Sequence, residues 1–350
     1  MNSAKIMGPG EPLAAVSTET PRPSGEQVLV RVDSVGVCHS DLHLWEGGYD
    51  LGDGKFMKVT DRGVKYPVTP GHEIAGTVEE AGGEASGFSK GDRVLVYPWI
   101  GCTECPACVA GNENLCDTPR SIGIFQDGGY ADYVMIPSHR YLARLDGVGA
   151  DTATSLACSG LTAYTAIKKA NANSPEYMVI IGAGGLGLMG IQVAKAITKA
   201  KVICVDLDDE KLRTASEMGA DHTVNSKEPG ADKAIMSICN QKGADSVVDF
   251  VNAPPTARLG LDILRKRGNM VMVGLFGGSI EMSLVTIPLK SIVIQGAYTG
   301  NYADMTELIN LAKDGVINPI ISKKYTLAEA SDALTALKER KIIGRAVINP

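Results

Sequence analysis

No cluster of lysine and arginine stands out in this chain. Its 34 basic residues are spread thinly against 40 acidic ones, for a net charge of −6. That distribution argues against a nucleic-acid-binding face, which would need a basic patch or stripe. Long apolar runs are missing too. The longest stretch without charge, Met178 to Ala194, is interrupted by five glycines and falls short of the roughly 20 residues of a membrane helix. The opening MNSAKIMGPGEPLAA has two prolines and no apolar core, so no signal peptide is read there and a cytoplasmic protein is expected. Aromatic residues make up only 5%, with two tryptophans, Trp45 and Trp99. Internal repeats and low-complexity segments are absent.

What is present is ordinary for a globular protein: 44% hydrophobic and 21% charged residues. A length of 350 residues exceeds what one core usually spans, so two domains are expected. The first third reads as strands and glycine corners: EQVLVRVDSVGV, HEIAGTVEEAG and GDRVLVYPW alternate apolar and polar residues. Near residue 160 the pattern changes. SLACSGLTAYTAIKKA has helical spacing, EYMVII is a short apolar run, and GLGLMGIQVAKAITKA reads as a helix before a second buried strand, KVICVDLD. Alternation continues through EKLRTASEMGA, HTVN, ADSVVDFVN, ARLGLDILRKRG, NMVMVGLF and IVIQGAY. Apolar strands alternating with helices imply a parallel sheet covered on both faces. After residue 300 come two amphipathic segments and an apolar strand, GRAVINP.

VIIGAGGLG places Gly182, Gly184 and Gly187 in G-x-G-x-x-G spacing, with Gly185 and Leu186 inside it. A strand precedes the motif, a helix follows, and Asp206 closes the next strand. The first glycine permits a tight turn, the second lets backbone approach a pyrophosphate, and the third lets helix and strand pack closely. The helix N-terminus offers free N–H groups to the phosphates. Asp206 should accept from a ribose 2′-hydroxyl and repel a 2′-phosphate, which favours NAD over NADP.

Half of the eight cysteines fall in Cys102-x2-Cys105-x2-Cys108-x7-Cys116. Four soft thiolates in one loop suit tetrahedral zinc and leave no position for water or substrate, so the site should be structural. An iron–sulfur cluster is the competing reading, although ferredoxin runs space their cysteines differently and follow the last with proline. Disulfides would need an oxidising compartment. Cys38 and Cys158, taken alone, read as small buried apolar residues.

Taken in order, GVCHSDLH, GHE, the four-cysteine loop, CSGLTAY, GAGGLG and the acidic strand end resemble the zinc-dependent medium-chain alcohol dehydrogenases over essentially the full length. GVCHSDLH…YPVTPGHEIAG and GRAVI are most similar to the archaeal and bacterial, cyclohexanol-type NAD-dependent members. The resemblance implies a Rossmann doubly wound parallel sheet plus a β-rich, chaperonin-10-like catalytic domain. It implies residues 1–159 for the catalytic domain, 160–297 for the dinucleotide-binding domain and 298–350 for a return to the first. It implies NAD and two zinc ions per subunit, the catalytic one on Cys38, His72 and Cys158, with Glu73 at or behind the fourth position. Alcohol dehydrogenase is itself the standing example of a Cys₂His catalytic zinc. Asp41 resembles the carboxylate that orients the ligand histidine, Ser40 the partner of the substrate oxygen, and His43 the relay that passes its proton to solvent. His39 and Arg345 resemble contacts to the cofactor phosphates, Lys211 a contact to the adenosine ribose, and Thr162, Gly274 and Phe276 contacts at the nicotinamide end. Trp99, Tyr49, Ile124 and Tyr298, with Trp45 nearby, fall where similar enzymes line the substrate pocket. His139 and His222 match no motif and are read as structural. The implied substrate is a small alcohol, aldehyde or ketone, with a polyol, threonine or formaldehyde/semialdehyde-type dehydrogenase as the alternative. No nucleic-acid or membrane partner is expected, and relatives imply a homotetramer or a dimer.

Overall fold

The alternating run at Glu26–Val37 forms the strand Val28–Gly36 in the computed structural model, which describes residues 1–350. Two compact units result. One comprises residues 1–48, 58–161 and 300–350, and the other residues 49–57 and 162–299. The excursion of 49–57 into the second unit has no forerunner in the sequence pattern.

The first unit is built on a seven-stranded sheet. Its path runs Ile321–Thr326, Arg345–Asn349, Val28–Gly36, Glu73–Ala81, Arg93–Val96 and Leu142–Arg144, with Tyr133–Ile136 also paired to Val28–Gly36. Register decides what meets at one end of this sheet. Gly36 pairs with Glu73 on one side and with Val347 on the other. The next residue, Val37, donates its N–H to the Ala346 carbonyl at 2.9 Å. Cys38, His72, Glu73 and Arg345 therefore leave three neighbouring strands at one place. Gly36 has to be glycine there, since a Cβ would lie 2.1 Å from Glu73 Oε2.

The second unit carries six parallel strands in the order His222–Asn225, Lys201–Asp206, Tyr177–Ile181, Ala244–Asp249, Leu264–Met272 and Val293–Gly296. Crossover helices such as Gly185–Ile197 and Asp209–Glu217 connect them. The order reverses beside Tyr177–Ile181, the kind of crevice where doubly wound sheets bind their ligands. Both neighbours of that strand are buried, and Val179, Ile181, Ile203, Val205 and Val247 form the core. One expected helix is shorter than its pattern. ARLGLDILRKRG is helical only to Ile263; Leu264 begins the next strand, which runs to Met272, and Arg267 takes a φ of 63° within it. The basic, non-periodic LRKRG lacks the apolar face that would continue the helix. No helix is long and apolar enough to cross a membrane.

Candidate active site: two cysteine clusters and a glycine cradle

Cys38 caps the helix His39–Glu46, in a box where Asp41 reaches back to the Cys38 amide at 2.9 Å. The other oxygen of Asp41 accepts from the Gly71 amide at 3.0 Å and lies 3.3 Å from His72 Nδ1. One buried carboxylate thus fixes the backbone at Cys38, the backbone just before His72, and the histidine ring. Cys158 arrives from a break between two helical stretches, Ser155–Ala157 and Ser159–Ala170, with φ −136° and ψ −74°. Its sulfur lies 4.0 Å from that of Cys38. A disulfide would need about 2.05 Å. Two thiolates on one tetrahedral zinc, each at about 2.3 Å, would sit about 3.8 Å apart.

Cys38, His72, Glu73 and Cys158 bring one donor atom each to within 4.8 Å of one another, and all four are buried. His72 Nε2 and Glu73 Oε2 have no hydrogen-bond partner. Buried polar atoms are seldom left so, and orphaned donors beside two sulfurs are what a metal would satisfy. The His72 Nδ1 approach to Asp41 lacks hydrogen-bond geometry, but it is the side on which a ligating imidazole finds its carboxylate. The donor set fits zinc.

The charges are mutually dependent. The Cys158 thiol hydrogen-bonds Cys38 and, against burial, draws it well below the usual thiol range; the same contact and burial push Cys158 well above it. Burial alone would lower His72, but Asp41 and Cys38 raise it well above its ordinary value. Burial pushes Glu73 up, opposed by Arg345. Arg345 is 4% exposed and pairs with Glu73 Oε1. One of its guanidinium nitrogens thus holds an internal carboxylate beside the cluster, while Nε has no hydrogen-bond partner. Nothing in the sequence links two residues so distant. Ser159 also donates its amide to Glu73 Oε1, at 3.3 Å. Ser40 Oγ lies 3.9 Å from Cys38 Sγ. His43 follows one turn later on the same helix, half-buried, with burial lowering its basicity. His39 is lowered for the same reason.

The second cluster is assembled locally. Sulfurs of Cys102 and Cys108 are 3.9 Å apart, Cys105 and Cys108 3.5 Å, and Cys105 and Cys116 3.8 Å. All eight cysteines are free. Backbone N–H groups point at the sulfurs, Cys105 to Cys102 at 3.3 Å and Cys102 to Cys116 at 3.2 Å. N–H groups of Glu104 and Cys105 bring Cys102 down to about 6, while burial pushes Cys108 up to about 12. Glu113, which carries no sequence signal, ties the lobe down by accepting from the Gly101 amide, Arg140 and the Tyr141 hydroxyl.

In the second unit the glycines divide their work. Gly182 has φ +96°, and a Cβ on Gly187 would lie 1.7 Å from the Gly182 carbonyl oxygen. A Cβ on Gly184 would meet no protein atom within 4 Å, so nothing in the chain itself demands glycine there. That is the position where backbone must approach a pyrophosphate. Gly184 caps the helix Gly185–Ile197 without a side-chain bond, which leaves its first amides for an anion. Asp206 locks the loop, accepting from Ala183 N at 2.6 Å and from Leu207 N at 2.7 Å. Leu186 is half-buried in the first turn of that helix, and Lys211 is half-buried on the helix that follows Asp206. Gly274 packs flush on the strand-end loop, where a Cβ would meet the Val251 oxygen at 2.1 Å; Phe276 is 44% exposed and Thr162 is buried.

The expected pocket residues come from both units. Trp99 and Ile124 belong to the first unit, Tyr49 and Tyr298 to the second. Trp99 is 2% exposed, whereas Tyr298 is 39% exposed. Trp45 donates to the Glu11 carbonyl at 2.6 Å. His139 Nε2 bonds Ser86 Oγ at 3.1 Å, and His222 opens an edge strand.

Family comparison agrees with this geometry. Residues 24–146 match the alcohol dehydrogenase GroES-like domain and residues 185–314 the zinc-binding dehydrogenase domain. The chain is 41% identical to the NAD-dependent alcohol dehydrogenase of Sulfurisphaera tokodaii over the full length of both. It is 32% identical to a sorbitol dehydrogenase of Halalkalibacterium halodurans, covering 92% of each. The crystal structure of the alcohol dehydrogenase from Aeropyrum pernix superposes with a TM-score of 0.90 at 32% identity, covering each chain completely. With both of its units matched and relatives aligned end to end, the chain belongs to the zinc-binding alcohol dehydrogenase family.

Proposed function

We propose that this protein oxidises primary or secondary alcohols to aldehydes or ketones with NAD as hydride acceptor, and catalyses the reverse reduction. The observation that carries this reading is the mixed, buried donor set of Cys38, His72 and Cys158, beside a carboxylate, Glu73, that Arg345 and the Ser159 amide hold by one oxygen. Three protein ligands leave a fourth position for substrate, or for Glu73 at rest. When bound, zinc supplies the Lewis acid that makes an alcohol oxygen acidic near neutral pH, and NAD the hydride acceptor. Asp41 holds the His72 ring so that its other nitrogen faces the cluster. Ser40 takes the hydroxyl proton as it gives up its own, and His43 passes a proton outward. Gly182, Gly184, Gly185 and Gly187 cradle the pyrophosphate, with His39, Arg345 and Lys211 as flanking contacts. Asp206 selects NAD through the ribose hydroxyls, and Thr162, Gly274 and Phe276 meet the nicotinamide. Trp99, Tyr49, Ile124 and Tyr298 shape the substrate site. Cys102, Cys105, Cys108 and Cys116 hold the structural zinc. Residues 1–159 and 298–350 serve as the catalytic domain and 160–297 as the nucleotide domain.

Turnover with NAD on linear, cyclic and aromatic alcohols, run beside Cys38→Ser with zinc counted in each, tests the assignment. Turnover by the native protein alone, with two zinc ions falling to one, is expected. No turnover from fully loaded native protein would move the substrate class to polyols, threonine or formaldehyde/semialdehyde-type carbonyls. The sorbitol dehydrogenase relative favours the polyol branch of that alternative.

The subunits assemble as a homotetramer, with a dimer as the smaller form. Leu284 at 78% and Leu289 at 70% exposure, in the segment that leads into the edge strand Val293–Gly296, and Val293 at 48% within it supply apolar surface for strand pairing across a twofold axis. Light scattering at the monomer mass would remove this assignment. A cytoplasmic location accords with eight free cysteines.

A further inference from the structure

Trp99 and Cys102 stand at the two ends of one short run of chain that is tied down along its length. Tyr97, just before it, donates its amide to the Tyr141 carbonyl at 2.7 Å and its hydroxyl to the Gly300 carbonyl at 2.9 Å. The Ile100 carbonyl accepts from the Arg120 amide at 2.8 Å. Gly101 donates to Glu113 Oε2 at 2.9 Å and accepts from Arg120 Nη2 at 2.8 Å. A Cβ on Gly101 would lie 2.4 Å from Cys108 Sγ, so the run enters the four-cysteine lobe with no slack. At its other end the Trp99 indole N–H donates to the Ala157 carbonyl at 3.0 Å. Ala157 directly precedes Cys158, whose non-helical backbone breaks two helical stretches and so needs an external hold. The indole ring also lies 5.3 Å from the His72 ring, tilted by 56°.

We propose that Trp99 is a positioning residue for the catalytic metal, supporting two of its ligands and transmitting to them the order of the four-cysteine lobe. The proposal rests on the zinc reading given above. Trp99 donates one hydrogen bond to the backbone that carries Cys158 and braces the ring of His72, and its own backbone is fixed by the lobe that Cys102 begins. Removing the N–H leaves a buried carbonyl without its donor and loosens the approach of Cys158. Weakening the lobe releases Trp99 from the other side.

The test uses the full-length protein with cobalt exchanged into the catalytic site. Trp99→Phe keeps a ring against His72 and lacks the N–H. One metal equivalent should leave to a chelator about tenfold faster, at the low end of what losing a partner of a metal ligand does to affinity. The cobalt–thiolate absorption should shift, and the second equivalent should be held as in the native protein. Cys105→Ser should shift the same absorption although its own site is elsewhere. If Trp99→Phe fails to fold, benzothienylalanine at position 99, which keeps the shape without the N–H, carries the same measurement. Unchanged release and absorption with only the alcohol KM altered would overturn the proposal and leave Trp99 a pocket wall. Fewer than two metal ions in the native protein would overturn the zinc reading itself, and the proposal with it.

Discussion

The two cysteine clusters lie in the same unit and differ in almost every physical respect. One is local: four thiols within a single loop, partly exposed, with backbone N–H groups turned on the sulfurs. The other draws Cys38 and Cys158 together across 120 residues, with an imidazole and a carboxylate, wholly out of solvent. Four like ligands from one loop close a coordination shell without help. A site that must keep one position open cannot be left to its own ligands, because a flexible chain would complete the shell. Here the ligands come from separate strands and a helix break, and Asp41, Arg345 and Trp99 hold them or their neighbours in place. The closed cluster gives stability, the open one reactivity, and the second needs more of the fold to specify it.

The sharpest way to break the comparison is to remove one cysteine from each cluster. Cys38→Ser should abolish turnover by several orders of magnitude, since the substrate loses its Lewis acid, and zinc analysis should find one ion fewer. Its melting temperature should change little. Cys105→Ser should also lose one zinc, but with a fall in melting temperature on the order of 10 °C, because the binding energy of a structural zinc is folding energy. Calorimetry with metal analysis separates the two patterns. Equal loss of stability in both variants would end the division into reactive and structural sites.

That division follows how far each site was legible in the sequence. The four-cysteine loop and the glycine motif could be read directly, because their chemistry is written in spacing over a few residues. The strands behind them could be read too: Glu26–Val37 and Tyr177–Ile181 both hold strands, although Val28–Gly36 is buried along nearly all its length rather than on alternate residues. The open cluster could be reached only by resemblance, since Cys38, His72 and Cys158 share no local pattern. Arg345 on Glu73, Glu113 under the lobe and the excursion of residues 49–57 into the second unit were not legible at all. Each depends on strand register or on tertiary approach, which hydrophobic period does not encode. The shortened helix ending at Ile263 is a different case: the basic, non-periodic LRKRG that follows carries no apolar face to continue it.

A smaller effect should follow from Asp41→Asn. The amide preserves shape, but one of its two terminal atoms no longer accepts, while the Cys38 amide, the Gly71 amide and His72 all compete for it. Affinity at the open cluster should fall about 10- to 100-fold, measured by competition with a chelator. The four-cysteine site should retain its ion unchanged, which tests whether support by neighbours is confined to the open site.

His43→Gln should have the mildest consequence and should leave both metals in place. Burial lowers the pKa of His43 from its ordinary value, against partial opposition from Cys38 and Glu46. In the relay proposed above, only the neutral ring can accept a proton. A lowered pKa keeps that form populated through neutral pH, and it is lost only as pH falls through the depressed value. Alcohol oxidation by the native enzyme should therefore decline on an acid limb lying below the ordinary histidine range. Glutamine cannot take up the proton, so kcat/KM should drop at neutral pH, and the limb should flatten. Zinc content and melting temperature should match the native protein. A native profile whose acid limb sits above the ordinary histidine range, or one that His43→Gln leaves intact, would remove His43 from the proton path.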